Sequence, residues 1–145
     1  MLLPRIVYIH GDQTVHWDCA WVPSVARQLQ AAGFETSFQL FPDSIEARAE
    51  YWLPFLEQHV RAGVNDLLLG WSCGAVAALR YAQEHAVRGL VLVAPYFTDL
   101  GSSEVRRSGF PPEPGGETYL SRIDASRSRS QCWRGSSSCR RCQTA

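Results

Sequence analysis

A chain of 145 residues, 46% hydrophobic and 11% aromatic, has the apolar content for one globular core of ordinary size. Its 14 basic residues, all arginine, balance 14 acidic ones, which excludes a global field drawing the protein to nucleic acid or an anionic membrane. No run of about 18 apolar residues is present, and Met1 to Arg5 has no basic region leading into an apolar stretch, so the expectation is a soluble cytoplasmic protein with no membrane partner.

Arg5 to Ile9 (RIVYI) is a short apolar run ending at the turn residues His10, Gly11 and Asp12, and reads as a buried strand. Trp21, Val22, Val25, Leu29 and Ala32 then recur at helical spacing, with Gly33 where a C-terminal cap belongs. Phe34 to Leu40 reads as a second, partly exposed strand. Asp43 with Glu46 three residues on predicts a capping box, and the helix behind it should bury Ala49, Trp52, Leu53, Leu56 and Val60. Pro54 inside that helix removes a backbone donor and crowds the preceding turn, which predicts a kink or break.

Asp66 to Gly70 reads as a third strand, Ala75 to His85 as a helix and Val87 to Ala94 as a fourth strand. Four strands separated by helices, the last two almost continuously apolar, imply an α/β fold: a three-layer α/β/α sandwich around a mostly parallel sheet.

The third strand runs into Gly70-Trp71-Ser72-Cys73-Gly74, a G-x-S-x-G motif followed by an Ala-rich helix. A nucleophilic serine needs a sharp, strained strand-to-helix turn that projects its hydroxyl into a cleft, and flanking glycines let neighbouring backbone approach without a Cβ clash. Ser72 is therefore the expected nucleophile. The amide of Cys73, at the start of the helix, would be one oxyanion donor. The second should come from the loop after the first strand, from Asp12 or Gln13. His10, Gly11 and Trp71 are expected at the pocket. Cys73 itself reads as a small buried residue facing away from the cleft.

The runs FPDSIEARAEYWLPFLEQHV and GWSCGAVAALRYAQEHAVRGLVLVAPYFTDLG resemble the retinoblastoma-binding protein 9 type of small serine hydrolase within the α/β-hydrolase superfamily, and IHGDQTVHWDCAWV is similar to bacterial members. The likeness covers approximately residues 5 to 110, with Trp71 standing where a histidine often precedes the serine. It implies a Rossmann-like sheet, a small-molecule acyl substrate, esterase-like chemistry, and no metal or cofactor. Ser72 carries over as nucleophile, and Gly11 and Asp12 as the oxyanion loop.

The family's acid and histidine lie on loops after two further strands, and neither has a counterpart here. No histidine follows His85, and Asp124, the only aspartate beyond Asp99, has surroundings unlike the end of a strand. His10 and His16 stand on the oxyanion loop and read as loop hydrogen bonds or pocket wall before general base. His59 and His85, near helix C-terminal ends, read as structural or solvated.

From Gly115 to Ala145 there are seven serines, six arginines and three cysteines, too little apolar surface to offset the entropy of ordering them. The expected organisation is a truncated hydrolase core over residues 1–110 and an irregular or disordered tail over 111–145, of the composition a GC-rich gene gives when read out of frame. The tail's arginines lack the interleaved aromatics of a nucleic-acid site, and Cys132, Cys139 and Cys142 lack a fourth zinc ligand. Cys19 and Cys73 should be reduced. The function expected is a serine hydrolase impaired by its incomplete triad. The alternative is a ligand- or protein-binding module in which the cleft performs no chemistry.

Overall fold

The computed structural model describes residues 2–111. The expected tail, with Asp124 and the three C-terminal cysteines, lies outside the described residues apart from its first position. Four strands, β1 (Arg5–Ile9), β2 (Thr36–Ser37), β3 (Asp66–Trp71) and β4 (Gly89–Val93), form one parallel sheet in the order β2-β1-β3-β4. The helices are α1 (Val22–Ala31), α2 (Ala49–Phe55), α3 (Cys73–Glu84) and the short α4 (Ser103–Arg107).

Alternation along the strands sorts the core into two layers. Ile6 and Tyr8 of β1 face α1, where they pack with Val22 and Leu69 beneath Trp21 and Trp71. Val7 and Ile9 face the other way, into a larger core with Trp52, Leu56, Leu68, Val76 and Phe110. The fold is thus the α/β/α sandwich that the strand–helix alternation implies. At the N-terminal ends of β1 and β3, Arg5 grips Asp66 through two hydrogen bonds of 2.9 and 2.7 Å. Burial alone would raise the Asp66 carboxyl, but the Arg5 guanidinium and the Gly63 amide together hold it below its ordinary value.

Local departures from expectation have local causes. The second strand is two residues long rather than seven, with Phe34 and Phe38 flanking it and packed on the core beside α1. The predicted capping box does not form. α2 starts at Ala49 with Arg48 as its N-cap residue, and the Asp43 carboxylate accepts instead from the Arg48 amide at 3.1 Å and from its guanidinium at 2.8 and 3.1 Å. Pro54 lies inside α2, which widens into a π-helical turn over Leu56–Val60 and ends at Arg61 in the left-handed region. Gly33, at φ +86°, closes α1 as expected.

After β4 the chain returns to the body of the fold. Phe110 is fully buried against Trp52, Arg80 donates to the Phe110 carbonyl at 2.9 Å, and the Ala49 amide donates to the Ser108 carbonyl at 2.7 Å. β4 has no strand on its outer side among the described residues, and Val91 on it is 48% exposed.

Candidate active site

Ser72 is the residue between β3 and α3, and the turn around it is as tight as the motif requires. Its backbone stands at φ 56°, ψ −121°, a conformation that a side chain other than hydrogen adopts only under strain. The turn is held by the Ser72 amide donating to the Val93 carbonyl of β4 at 2.9 Å, while the Ser72 carbonyl accepts from the Ala75 and Val76 amides at 3.0 and 3.3 Å. The side chain is half-buried and lines an open cavity, and its hydroxyl has no hydrogen-bond partner among the described residues.

Both motif glycines are required by space rather than by φ. A Cβ on Gly74 would stand 2.6 Å from the carbonyl carbon of Ile9 and nearer still to the carbonyl oxygens of Ile9 and His10. A Cβ on Gly70 would stand 2.6 Å from the Ala75 amide nitrogen. The start of α3 is therefore pressed directly onto the ends of β1 and β3, which brings the loop after β1 beside Ser72. A Cβ on Gly11 would lie 3.6 Å from that of Ser72.

That loop is anchored from behind. His10 is 1% exposed. Its Nδ1 lies 2.7 Å from the Gly11 carbonyl and its Nε2 accepts from the Phe41 amide at 2.8 Å, which fixes the neutral tautomer with Nδ1 as donor. Burial lowers its pKa, partly offset by the Gly11 carbonyl. With both nitrogens committed, and with Phe41 and Trp52 edge-on to the ring, His10 lies behind the loop rather than at the pocket wall where the sequence placed it. Thr14 adds a second clamp, its Oγ1 donating to the Gly11 carbonyl at 2.7 Å. Of these two anchors, Thr14 has a signal in the sequence, a hydroxyl three residues after a glycine, whereas Phe41 has none.

Of the two loop amides considered for the oxyanion, that of Gln13 donates to the Ile45 carbonyl at 3.1 Å. Burial pushes the Cys73 thiol well above its ordinary value, a rise that neighbouring backbone amides only partly offset. At 2% exposure this thiol is a packing group, and Cys19, the other cysteine among the described residues, is exposed. Trp71 meets Trp21 edge-on at 5.9 Å and lines the cavity with Ser72. The cavity is about 380 Å³, and Gly11, Val15 and His16 complete its rim.

The other two histidines stand far from this site. His85 follows the last turn of α3, stacked on Tyr81 with ring centroids 4.1 Å apart. His59 lies in the π-helical turn against Phe55. Both belong to the end of the sheet opposite Ser72. Among the described residues no group of three His, Cys, Asp or Glu side chains is placed to hold a metal, and no helix is long and apolar enough to cross a membrane.

Known proteins resemble this chain in sequence and in fold. The rat protein Serine hydrolase RBBP9 is 38% identical over 104 residues, 72% of this chain and 55% of the rat protein. The crystal structure of the ydeN gene product from B. subtilis superposes with a TM-score of 0.67 at 25% identity, covering 83% of this chain and 64% of that one. A PytH variant, at 24% identity, TM-score 0.52 and 71% coverage of this chain, shares the fold. The chain spans little more than half the length of the rat relative and under two thirds of the Bacillus one. A family model described as serine hydrolase matches residues 7–120, and with the 38% identity to the rat relative this establishes that the chain belongs to the serine hydrolase family, with an α/β-hydrolase-like fold.

Proposed function

We propose that this chain carries the nucleophile half of an esterase-like site, in which the Ser72 hydroxyl attacks the carbonyl carbon of an ester or related acyl bond. The amides of Asp12 and Cys73 receive the oxyanion, and Trp71 and Gly11 flank the substrate. The observation that carries the reading is the strained backbone of Ser72, at φ 56°, with its side chain facing an open cavity. Strain of about 1–3 kcal/mol at one residue persists where the surrounding packing enforces it, and such positions cluster at sites of chemistry. The attack needs no metal or cofactor, because preorganised amides alone stabilise a tetrahedral oxyanion.

The proposal includes strong impairment of turnover in this chain as it stands. Neither nitrogen of His10 is free, His59 and His85 lie at the other end of the sheet, and no imidazole is hydrogen-bonded to the Ser72 hydroxyl among the described residues. In a comparable triad enzyme, loss of the histidine lowers kcat by about 10⁶ and leaves roughly 10³–10⁴ over water from the oxyanion hole and binding. A fluorophosphonate probe tests both halves. The expected result is slow labelling, confined to Ser72 and abolished in Ser72→Ala. Labelling at the rate of a full-length relative would refute the impairment. Absence of any Ser72 adduct, with the cleft still binding small molecules, would favour a binding module that performs no chemistry.

A further inference from the structure

We propose that Thr14, together with His10, is a positioning residue of the acyl-transfer step: two hydrogen bonds fix the Gly11 carbonyl, and thereby aim the Asp12 amide of the same peptide group at the oxyanion formed on Ser72. The inference rests on the reading in which Ser72 is the nucleophile and the Asp12 amide an oxyanion donor.

The geometry is that of a single peptide plane. The Gly11 carbonyl and the Asp12 N–H are the two ends of one planar trans unit, so the direction of the first sets the opposite direction of the second. The carbonyl has two lone pairs, and it accepts from His10 Nδ1 at 2.7 Å and from the Thr14 hydroxyl at 2.7 Å. Both donors are buried, so tipping the plane would break a hydrogen bond out of reach of water. The other end of the unit is open. The Asp12 amide donates to no carbonyl among the described residues. Gly11 itself abuts the nucleophile, since a Cβ on it would stand 3.6 Å from that of Ser72 and 3.7 Å from the Trp71 carbonyl oxygen.

The two donors are braced in turn, so they direct the loop rather than follow it. His10 Nε2 accepts from the Phe41 amide at 2.8 Å. Gln13, at φ 52°, turns the chain so that Thr14 comes back to the Gly11 carbonyl. The Gln13 and Thr14 amides then tie that turn to the Ile45 and Ser44 carbonyls at 3.1 and 3.3 Å. The Thr14 hydroxyl also lies 3.4 Å from the Asp12 carbonyl, too far to compete with the contact at 2.7 Å.

Such bracing matters to the chemistry in two ways. A donor fixed before charge develops costs no reorganisation when the oxyanion forms. Hydrogen bonds accepted at the carbonyl also polarise the peptide and strengthen its N–H as a donor. Thr14 and His10 act through this peptide.

The test is inactivation by a fluorophosphonate, in which the Ser72 oxygen–phosphorus bond forms, fluoride leaves and the hydroxyl proton passes to water. Thr14→Val keeps the side-chain shape and removes the donor. It should lower the limiting inactivation rate by about 10-fold, short of the roughly 10²–10³ that loss of a whole oxyanion donor costs, because the His10 bond remains. The probe concentration giving half that rate should be unchanged. Thr14→Ala should show the same loss, and Thr14→Ser, which restores the hydroxyl, should return the rate to near that of the wild type, each measured below the variant's own melting temperature. Amide NMR reads the same point directly: the Asp12 amide proton should move downfield when the wild type forms its Ser72 adduct, and less so in Thr14→Val. Wild-type rates in Thr14→Val and Thr14→Ala, a loss that Thr14→Ser does not repair, or an Asp12 shift as large in Thr14→Val as in the wild type would overturn the positioning role. A wild type that forms no Ser72 adduct, or one whose Asp12 amide proton does not move on forming it, would instead remove the reading on which the inference rests.

Discussion

Placing one methyl group at Gly74 should separate the parts of this site without touching the hydroxyl that reacts. The added Cβ would lie 2.6 Å from the carbonyl carbon of Ile9, where carbon–carbon contact is comfortable only from about 3.5 Å. The end of β1 and the start of α3 must therefore move apart by roughly 0.9 Å. Neither side yields easily, since both are backbone, and His10, beside the clash, is bonded to Gly11 and Phe41. Overpacking of this kind costs about 1–3 kcal/mol, against a gain of at most about 1 kcal/mol from replacing a helical glycine by alanine. A net loss of about 1–2 kcal/mol lowers the melting temperature of a domain this size by roughly 4 °C or more. The kinetic effect should be larger, because a misplacement near 1 Å can cost about 10²-fold in rate. The assay pairs thermal melts of Gly74→Ala with fluorophosphonate labelling at a temperature where the variant is folded. Wild-type stability together with wild-type labelling would refute the claim that close approach of β1 and α3 builds the oxyanion site.

Replacing Ser72 by glycine should abolish labelling and raise stability by about 1 kcal/mol, since relief of strain at φ 56° exceeds the added chain entropy of glycine; a fall in melting temperature would contradict strain at that residue. His10 has its pKa lowered in the folded chain by burial, so the unfolded chain binds the proton more readily. Its contribution to stability is present above the unfolded histidine value near 6.5 and is lost as pH falls through the lower folded value. Urea melts should show stability falling from pH 7.5 to 5.5, with a shallower fall in His10→Gln, and identical slopes would refute the assignment. The outer side of β4, unpaired among the described residues, and the half-exposed Val91 on that strand predict self-association of the chain at high protein concentration, reduced in Val91→Lys. A monomeric wild type on size exclusion would count against an available edge.

Much of this architecture was legible because the relevant signals are local. β1 and β3 are continuous apolar runs ended by turn residues, and the G-x-S-x-G spacing reports two positions where only hydrogen fits against neighbouring backbone. What stayed hidden depends on distant partners. Asp43 followed three residues on by Glu46 has the form of a capping box, yet the carboxylate is taken by Arg48, whose guanidinium offers a stronger charge-assisted bond than a helix amide. Phe34 to Leu40 has the composition of a strand, yet only Thr36 and Ser37 pair with β1, while Phe34 and Phe38 pack beside α1. His10 shows the same limit at the site. A histidine at the end of a strand is equally a pocket residue or an anchor in sequence, and only the arrival of the Phe41 amide, 31 residues away, decides for the anchor.

The most direct test is a crystal structure of the chain after reaction with a small fluorophosphonate. The account predicts phosphorus bonded to the Ser72 oxygen, with the phosphoryl oxygen about 2.7–3.1 Å from the amide nitrogens of Asp12 and Cys73. An adduct on another residue, or a phosphoryl oxygen turned to solvent with no amide in reach, would contradict it.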